Sequence, residues 1–384
     1  MNKNIFLVIL TLATLFDNAW AQPPVATSTD YTLSVPLGFM SPKTIASEKD
    51  IPLLNNLLEA NRTDKNWLEY ANTQRRLGIA HRMMASSGKS PEQNFRRAIE
   101  LLRESAHFFQ EKNNVQYGMI ENDLGLAYQM LAALGSEPEQ NLNSAITTFN
   151  EAVKSAKKSD MAIAKNNIGL SYKALAMWGI NPKKNLALAV TSLNESNGAM
   201  AQYNLGMVYQ AMASWGIEPI PNLKTSVTTL EKTASLYATS TEGYAMAKGG
   251  LGASYQALAS WGDDTEKNLK LAVGFLTDAA RLLKEQKNTI EYPATVANLG
   301  LTYQALATRG VDPAVNFAHS VDALEEAAIL WKEQNNKAGF AMAKNNLGVS
   351  YQGLVQRNIE TEKNKKLSEQ SFKEAQPPKP AATK

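Results

Sequence analysis

Apolar residues recur along most of the chain at helical spacing, and the stretch from Tyr244 to Gly262, YAMAKGGLGASYQALASWG, shows the rule. Ala247, Leu251, Tyr255 and Leu258 fall on one helical face, and Gly252 removes a side chain where a neighbouring helix could approach closely. Gly262 follows directly and predicts a left-handed cap, because only glycine, and less readily asparagine, adopts positive φ at low cost. The pattern (Leu/Ile)-Gly-x-x-(Tyr/His) recurs at Gly78, Gly125, Gly169, Gly206, Gly252, Gly300 and Gly348. Ten residues beyond each stands a cap: Gly88, Gly135, Gly179, Gly216, Gly262, Gly310 and Asn358. Sixteen beyond each comes an asparagine: Asn94, Asn141, Asn185, Asn222, Asn268, Asn316 and Asn364. Seven units share this ruler, with no insertion inside it.

After each cap the chain reaches a second start signal, such as Ser90-Pro91, Asn181-Pro182 or Asp312-Pro313, with Asp264-Thr265 in the fifth unit. A capping side chain before the first helical turn is expected there. The helix that follows carries a small, a large apolar and a small residue in turn: Ala145, Phe149, Ala152; Ala272, Leu276, Ala279; Ser320, Leu324, Ala327. Each unit is therefore predicted to be a helical hairpin closed by a tight loop. The asparagine sixteen beyond the glycine sits beside that loop, where it is expected to bond loop backbone. The fourth unit arrives early, its glycine 37 residues after the third, with a tight break at Asn197-Gly198. That break reads either as a kink or partner notch, or as simple loop loss.

Leu-Gly-x-x-Tyr on a first helix and Ala-x-x-x-Phe-x-x-Ala on a second resemble the tetratricopeptide repeat, over residues 62–375. The resemblance implies an all-α fold, a right-handed superhelical solenoid of about seven stacked helical hairpins. The inner glycines are about 37 to 48 residues apart, against roughly 34 in the family, so this is a long-period variant.

In similar proteins the first helices line a concave face, and asparagines two before the inner glycine hold the main chain of an extended peptide. An amide serves because it both donates and accepts. The matching places here are Arg76, Asp123, Asn167, Asn204, Gly250, Asn298 and Asn346, which makes Asn167, Asn204, Asn298 and Asn346 candidate binding residues. Four residues before these places lie Met119, Ile163, Met200, Met246 and Met342; Met200, Met246 and Met342 would give the groove an adaptable apolar lining. The alternative is that this face is buried and the asparagines satisfy each other. Carboxylate-clamp recognition would need basic rungs, and only Arg75 and Arg76 offer them. Trp178, Trp215 and Trp261 each precede a cap glycine. They read either as helix-end rings packed on the next loop's proline or as a secondary aromatic surface for a partner.

Before the array, Lys3, the apolar run Ile5 to Phe16 and the small-x-small site Ala19-Trp20-Ala21 predict a signal peptide over residues 1–21. The run is too short to span a bilayer. Residues 22–46 read as an extended leader, 47–61 as an amphipathic capping helix and 376–384 as a disordered tail. The protein is thus expected to be exported, to the periplasm or alternatively the medium, with no integral membrane segment after signal removal. It has no cysteine and must be held by packing alone. The net charge of +3 comes in mixed-sign pairs without a basic, aromatic-laced run, which argues against nucleic acid. Three histidines, His81, His107 and His319, lack metal-ligand spacing, and no nucleophile or phosphate-loop motif occurs. His81 reads as an aromatic substitute in the interhelical contact. No cofactor, metal or enzymatic activity is expected. The leading expectation is a non-enzymatic scaffold or adaptor of the bacterial envelope that binds a protein or extended peptide. The alternatives are a secreted factor acting on host or extracellular proteins, and a small-molecule or glycan binder using the tryptophans.

Overall fold

The computed structural model describes residues 48–376, apart from 112–115, 156–157, 238 and 240. The expected signal peptide, the leader and the tail from residue 377 lie outside the described residues. Among the described residues, regular structure is entirely helical. A 3-10 turn at Glu48–Asp50 runs into α1 (Ile51–Thr63), and helices then follow in pairs. The pairs are α2 (Trp67–Ser86) with α3 (Pro91–Glu111), α4 (Gln116–Ala133) with α5 (Pro138–Ser155), and α6 (Lys158–Met177) with α7 (Pro182–Ser196). Next come α8 (Ala199–Ser214), α9 (Pro219–Leu236), α10 (Glu242–Ser260) with α11 (Thr265–Glu285), α12 (Glu291–Thr308) with α13 (Pro313–Glu333), and α14 (Lys337–Val355) with α15 (Thr361–Glu374). The chain forms two compact units, up to Val208 and from Tyr209 onward, so the division falls inside α8. Within each unit helices pack on their neighbours in sequence, the arrangement of an all-α helical-repeat solenoid.

The inner glycines fix how close the two helices of a hairpin come. A Cβ on Gly125 would lie 2.5 Å from the Phe149 ring, and one on Gly252 would lie 2.5 Å from Leu276 Cγ. The large apolar residue of each second helix thus fills the space that the glycine leaves; Phe149 is fully buried and Leu276 nearly so. At the amino-terminal end, Leu54 and Leu58 of α1 lie on Leu77, Ala80 and Leu101 and close that face of the first hairpin.

The tight loops differ from the expected form. The cap glycines are left-handed as predicted, Gly88 at φ 85° and Gly262 at 82°, with Asn358 at 56°. Two residues later, however, the chain turns left-handed again, at Ser90 (39°), Asn181 (42°), Asp264 (42°) and Asp312 (37°). The side chains of Asn181, Asp264 and Asp312 make no capping hydrogen bond, which corrects the expectation for those start signals. The reason is geometric: a side-chain cap needs an extended backbone at that residue, and here it is left-handed. The buried asparagine of the ruler secures the loop instead. Asn94 Nδ2 donates to Lys89 O at 2.7 Å, Asn268 Nδ2 to Asp263 O at 2.5 Å, and Asn316 Nδ2 to Val311 O at 2.7 Å. The same bond recurs at Asn141, Asn185, Asn222 and Asn364, so the expected loop role of this asparagine is borne out.

Three of the junctions between consecutive hairpins share one polar contact. Gln129 Nε2 donates to Asn167 O at 3.0 Å and to Ser171 Oγ at 2.6 Å. Gln210 makes the same pair of bonds to Gly250 O and Ser254 Oγ, at 2.9 and 2.7 Å, and Gln304 to Asn346 O and Ser350 Oγ, at 3.0 and 2.8 Å. Each glutamine stands four residues after an inner glycine and reaches the next first helix, two before and two after the following glycine.

Candidate interaction surface

The asparagines of the first helices fall into two groups. In the unit ending at Val208 they form a continuous chain of amides. Asn167 Nδ2 donates to Asn122 Oδ1 at 3.0 Å, Asn166 Nδ2 to Asn167 Oδ1 at 3.4 Å, and Asn204 Nδ2 to Asn166 Oδ1 at 2.8 Å. Asn167 is buried, while Asn122, Asn166 and Asn204 are half-buried and keep an edge toward solvent. The bonds run head to tail from Asn204 through Asn166 and Asn167 to Asn122, and the two that cross between helices both donate toward the amino-terminal hairpins, so the chain has a polarity. Neither Asn122 nor Asn166 was among the residues expected from sequence; both stand three before an inner glycine, next to an expected rung.

In the unit beginning at Tyr209 the arrangement is different. Asn346 is 2% exposed, donates from Nδ2 to Met342 O of its own helix at 2.9 Å and takes the Gln304 bond on its carbonyl. It is part of the seam between hairpins and faces no open groove. Asn298 is half-buried, and its backbone carbonyl accepts from Thr302 Oγ1 at 2.7 Å. Of the methionines, Met246 is 7% exposed and belongs to the interior, Met342 packs against the carboxy-terminal core, and Met200 is half-buried. Among the described residues the methionine open to solvent is Met119, at 48% exposure on α4. An inward-facing methionine lining at Met246 is therefore corrected: close packing of the first helices encloses it.

Of the two arginines at the first rung, Arg75 is already engaged and Arg76 is exposed. Arg75 Nε and Nη2 lie 3.2 and 3.0 Å from Asp123 Oδ2, and Arg82 Nη2 lies 3.9 Å from Oδ1. Arg75 is thus tied to Asp123, which stands in the rung position itself.

The tryptophans lie at the tight loops. Trp178 packs backward on the preceding hairpin: its Cη2 is 3.7 Å from where a Cβ on Gly135 would stand. Trp215 and Trp261 are half-buried, and the Trp215 indole N–H is buried without a hydrogen-bond partner. At the tyrosine position, His81 Nδ1 lies 2.7 Å from Asn94 Oδ1, which ties it to the loop asparagine. Tyr351 donates its hydroxyl to Glu325 Oε1 at 2.6 Å, and burial pushes that hydroxyl well above its ordinary range, reinforced by Glu325. Among the described residues no helix is long and apolar enough to cross a membrane.

No family model matches the chain, nor does any curated protein. Among solved structures it is similar to BtubC (BKLC) from P. vanneervenii, at 13% identity, with 76% of this chain and 94% of that chain covered and a TM-score of 0.38. It is also similar to a circular tandem repeat protein with novel repeat topology and enhanced subunit contact surfaces, at 13% identity, 85% and 88% coverage and a TM-score of 0.28.

Proposed function

We propose that this chain is a non-enzymatic scaffold of tetratricopeptide type that acts outside the cytoplasm and holds an extended segment of a protein partner. The observation that carries the reading is the amide chain of Asn122, Asn167, Asn166 and Asn204. A primary amide has two donor hydrogens and an acceptor oxygen with two lone pairs, so an amide bonded to its neighbours keeps capacity for a further partner. A row of such groups with one polarity matches an extended main chain, which alternates donors and acceptors along its length. The half-open edges of Asn122, Asn166 and Asn204 supply access, and Met119, one turn before Asn122 on α4, offers apolar contact without demanding one sequence. Action outside the cytoplasm rests on Lys3, the Ile5 to Phe16 run and the Ala19-Trp20-Ala21 site.

A photo-crosslinking residue placed at Met119 in the full chain, in cells, tests the surface. The expected result is a discrete crosslinked protein that disappears when Asn166→Ala and Asn204→Ala are combined, with unchanged circular dichroism. An unchanged crosslink on the folded double variant would remove the amide chain as the binding element. Sequencing the amino terminus of the exported protein tests the address: the expected first residue is Gln22, and a chain still beginning at Met1 would sink it.

A further inference from the structure

In four hairpins the residue four before the inner glycine bonds the one twenty-six after it, on the second helix, while the fourth hairpin has Gln202 and Lys232 at these places and the sixth Val296 and Glu326. In three hairpins the pair is ionic: Lys165 with Glu195 at 3.0 Å, Lys248 with Asp278 at 3.5 Å, and Lys344 with Glu374 at 2.7 Å. Lys344, with Gln370, holds the Glu374 carboxyl below its ordinary range. In the first hairpin an amide takes the place of the lysine, and Gln74 Nε2 donates to Glu104. The second hairpin has two carboxylates at these places, Glu121 and Glu151.

Glu121 is 7% exposed and accepts a hydrogen bond from Tyr117, one turn earlier on α4. Several cations of the surrounding helices face other carboxylates. Arg75 and Arg82 of α2 face Asp123, which is on α4 itself. Lys165 of α6 faces Glu195, and His107 at the end of α3 faces Glu111. Lys154 of α5 sits 2.6 Å from Glu151 Oε1. The charge acting on Glu121 is that of Glu151.

We propose that Glu121 and Glu151 form a proton-operated catch between α4 and α5, closed while Glu121 is neutral and released when it ionises and two carboxylates oppose each other where sister hairpins hold an ion pair. Burial pushes the Glu121 carboxyl up to about 7; the Tyr117 hydrogen bond works against this and the Glu151 charge adds to it. Burial likewise pushes the Tyr117 hydroxyl up to about 12, so it stays a donor throughout. The folded value lies above the ordinary 4.5, so the folded chain binds the proton better than the unfolded chain between the two. The stabilisation is complete below 4.5 and is lost as pH rises through about 7.

The test compares thermal melting of the full natural chain with Glu121→Gln and Glu121→Lys from about pH 5 to pH 8, the window of this titration. Glu121→Gln copies the first hairpin and Glu121→Lys the third, fifth and seventh. The natural chain is expected to lose roughly 5 °C more than either variant across that window, and its α4 and α5 amides to gain hydrogen exchange at the alkaline end that the variants do not gain. Parallel curves for all three would overturn the proposal, since the three chains differ only at residue 121. Should the variants not fold, the carbon-13 carboxyl signal of Glu121 in the natural chain decides: a midpoint near 7 supports the catch, and one near 4.5 overturns it.

Discussion

At Gly252 an added methyl group meets Leu276 Cγ at 2.5 Å, inside the closest distance that carbon atoms tolerate. Gly252→Ala is accordingly expected to cost about 1–3 kcal/mol through overpacking, read as a lower urea midpoint. Gly274 lies in α11 with nothing within 4 Å of an added Cβ. There the same substitution is expected to stabilise by roughly 0.5–1 kcal/mol, because alanine loses less backbone entropy in a helix. Destabilisation at both sites would show that close helix approach is not what Gly252 serves. At Asn316, 8% exposed, the loop carbonyl of Val311 loses its partner if the amide is removed. Asn316→Ala is expected to cost about 1–3 kcal/mol in a thermal or chemical melt, the range for stranding a buried polar group.

Between helices, the glutamine seam joins one hairpin to the next at three junctions. Gln304→Ala leaves Ser350 Oγ without the donor that held it at 2.8 Å, although Ser320 Oγ remains at 2.8 Å on its other side. A double-mutant cycle of Gln304→Ala with Ser350→Ala is expected to give a coupling of roughly 0.5–3 kcal/mol, and additive losses would deny the seam any energetic role. The hairpins themselves were legible in the sequence, because Gly252 and Gly262 mark a close approach and a chain reversal that few other residues can make. The seam is less legible: Tyr-Gln recurs at Gln129, Gln210, Gln256, Gln304 and Gln352, yet only Gln129, Gln210 and Gln304 make its bonds. An amide on a helix has no preferred partner until the neighbouring helix is placed, so the repeat alone did not say what the glutamines reach. The start signals misled for the converse reason: Asp312 and Asn181 are good caps in isolation, but each is also tolerant of the left-handed region, and the loop uses that second property. Among the asparagines, Asn166 looks from sequence like a spare beside Asn167. Its place in the amide chain depends on Asn204, thirty-eight residues away.

For the chain as a whole, the absence of cysteine leaves stability to contacts between successive helices. Stability in such an array is close to a sum of hairpin and neighbour contributions. Gly252→Ala is therefore expected to raise hydrogen exchange in α10 to α12 and leave α2 to α6 unchanged; a uniform rise along the chain would contradict this nearest-neighbour account.

The loops also divide the molecule by what it can absorb. From Ser87–Ser90 to Arg309–Asp312, the first six loops inside the units have the same length, locked by two left-handed residues and a buried asparagine in fixed register. The connections between units vary, from Asn197–Gly198 to the five residues Gln286–Ile290. Chain growth is thus confined to the connections between hairpins. A reporter peptide spliced after Thr289 should leave expression and protease resistance intact, whereas the same peptide after Asp263 should leave a chain that proteases clear.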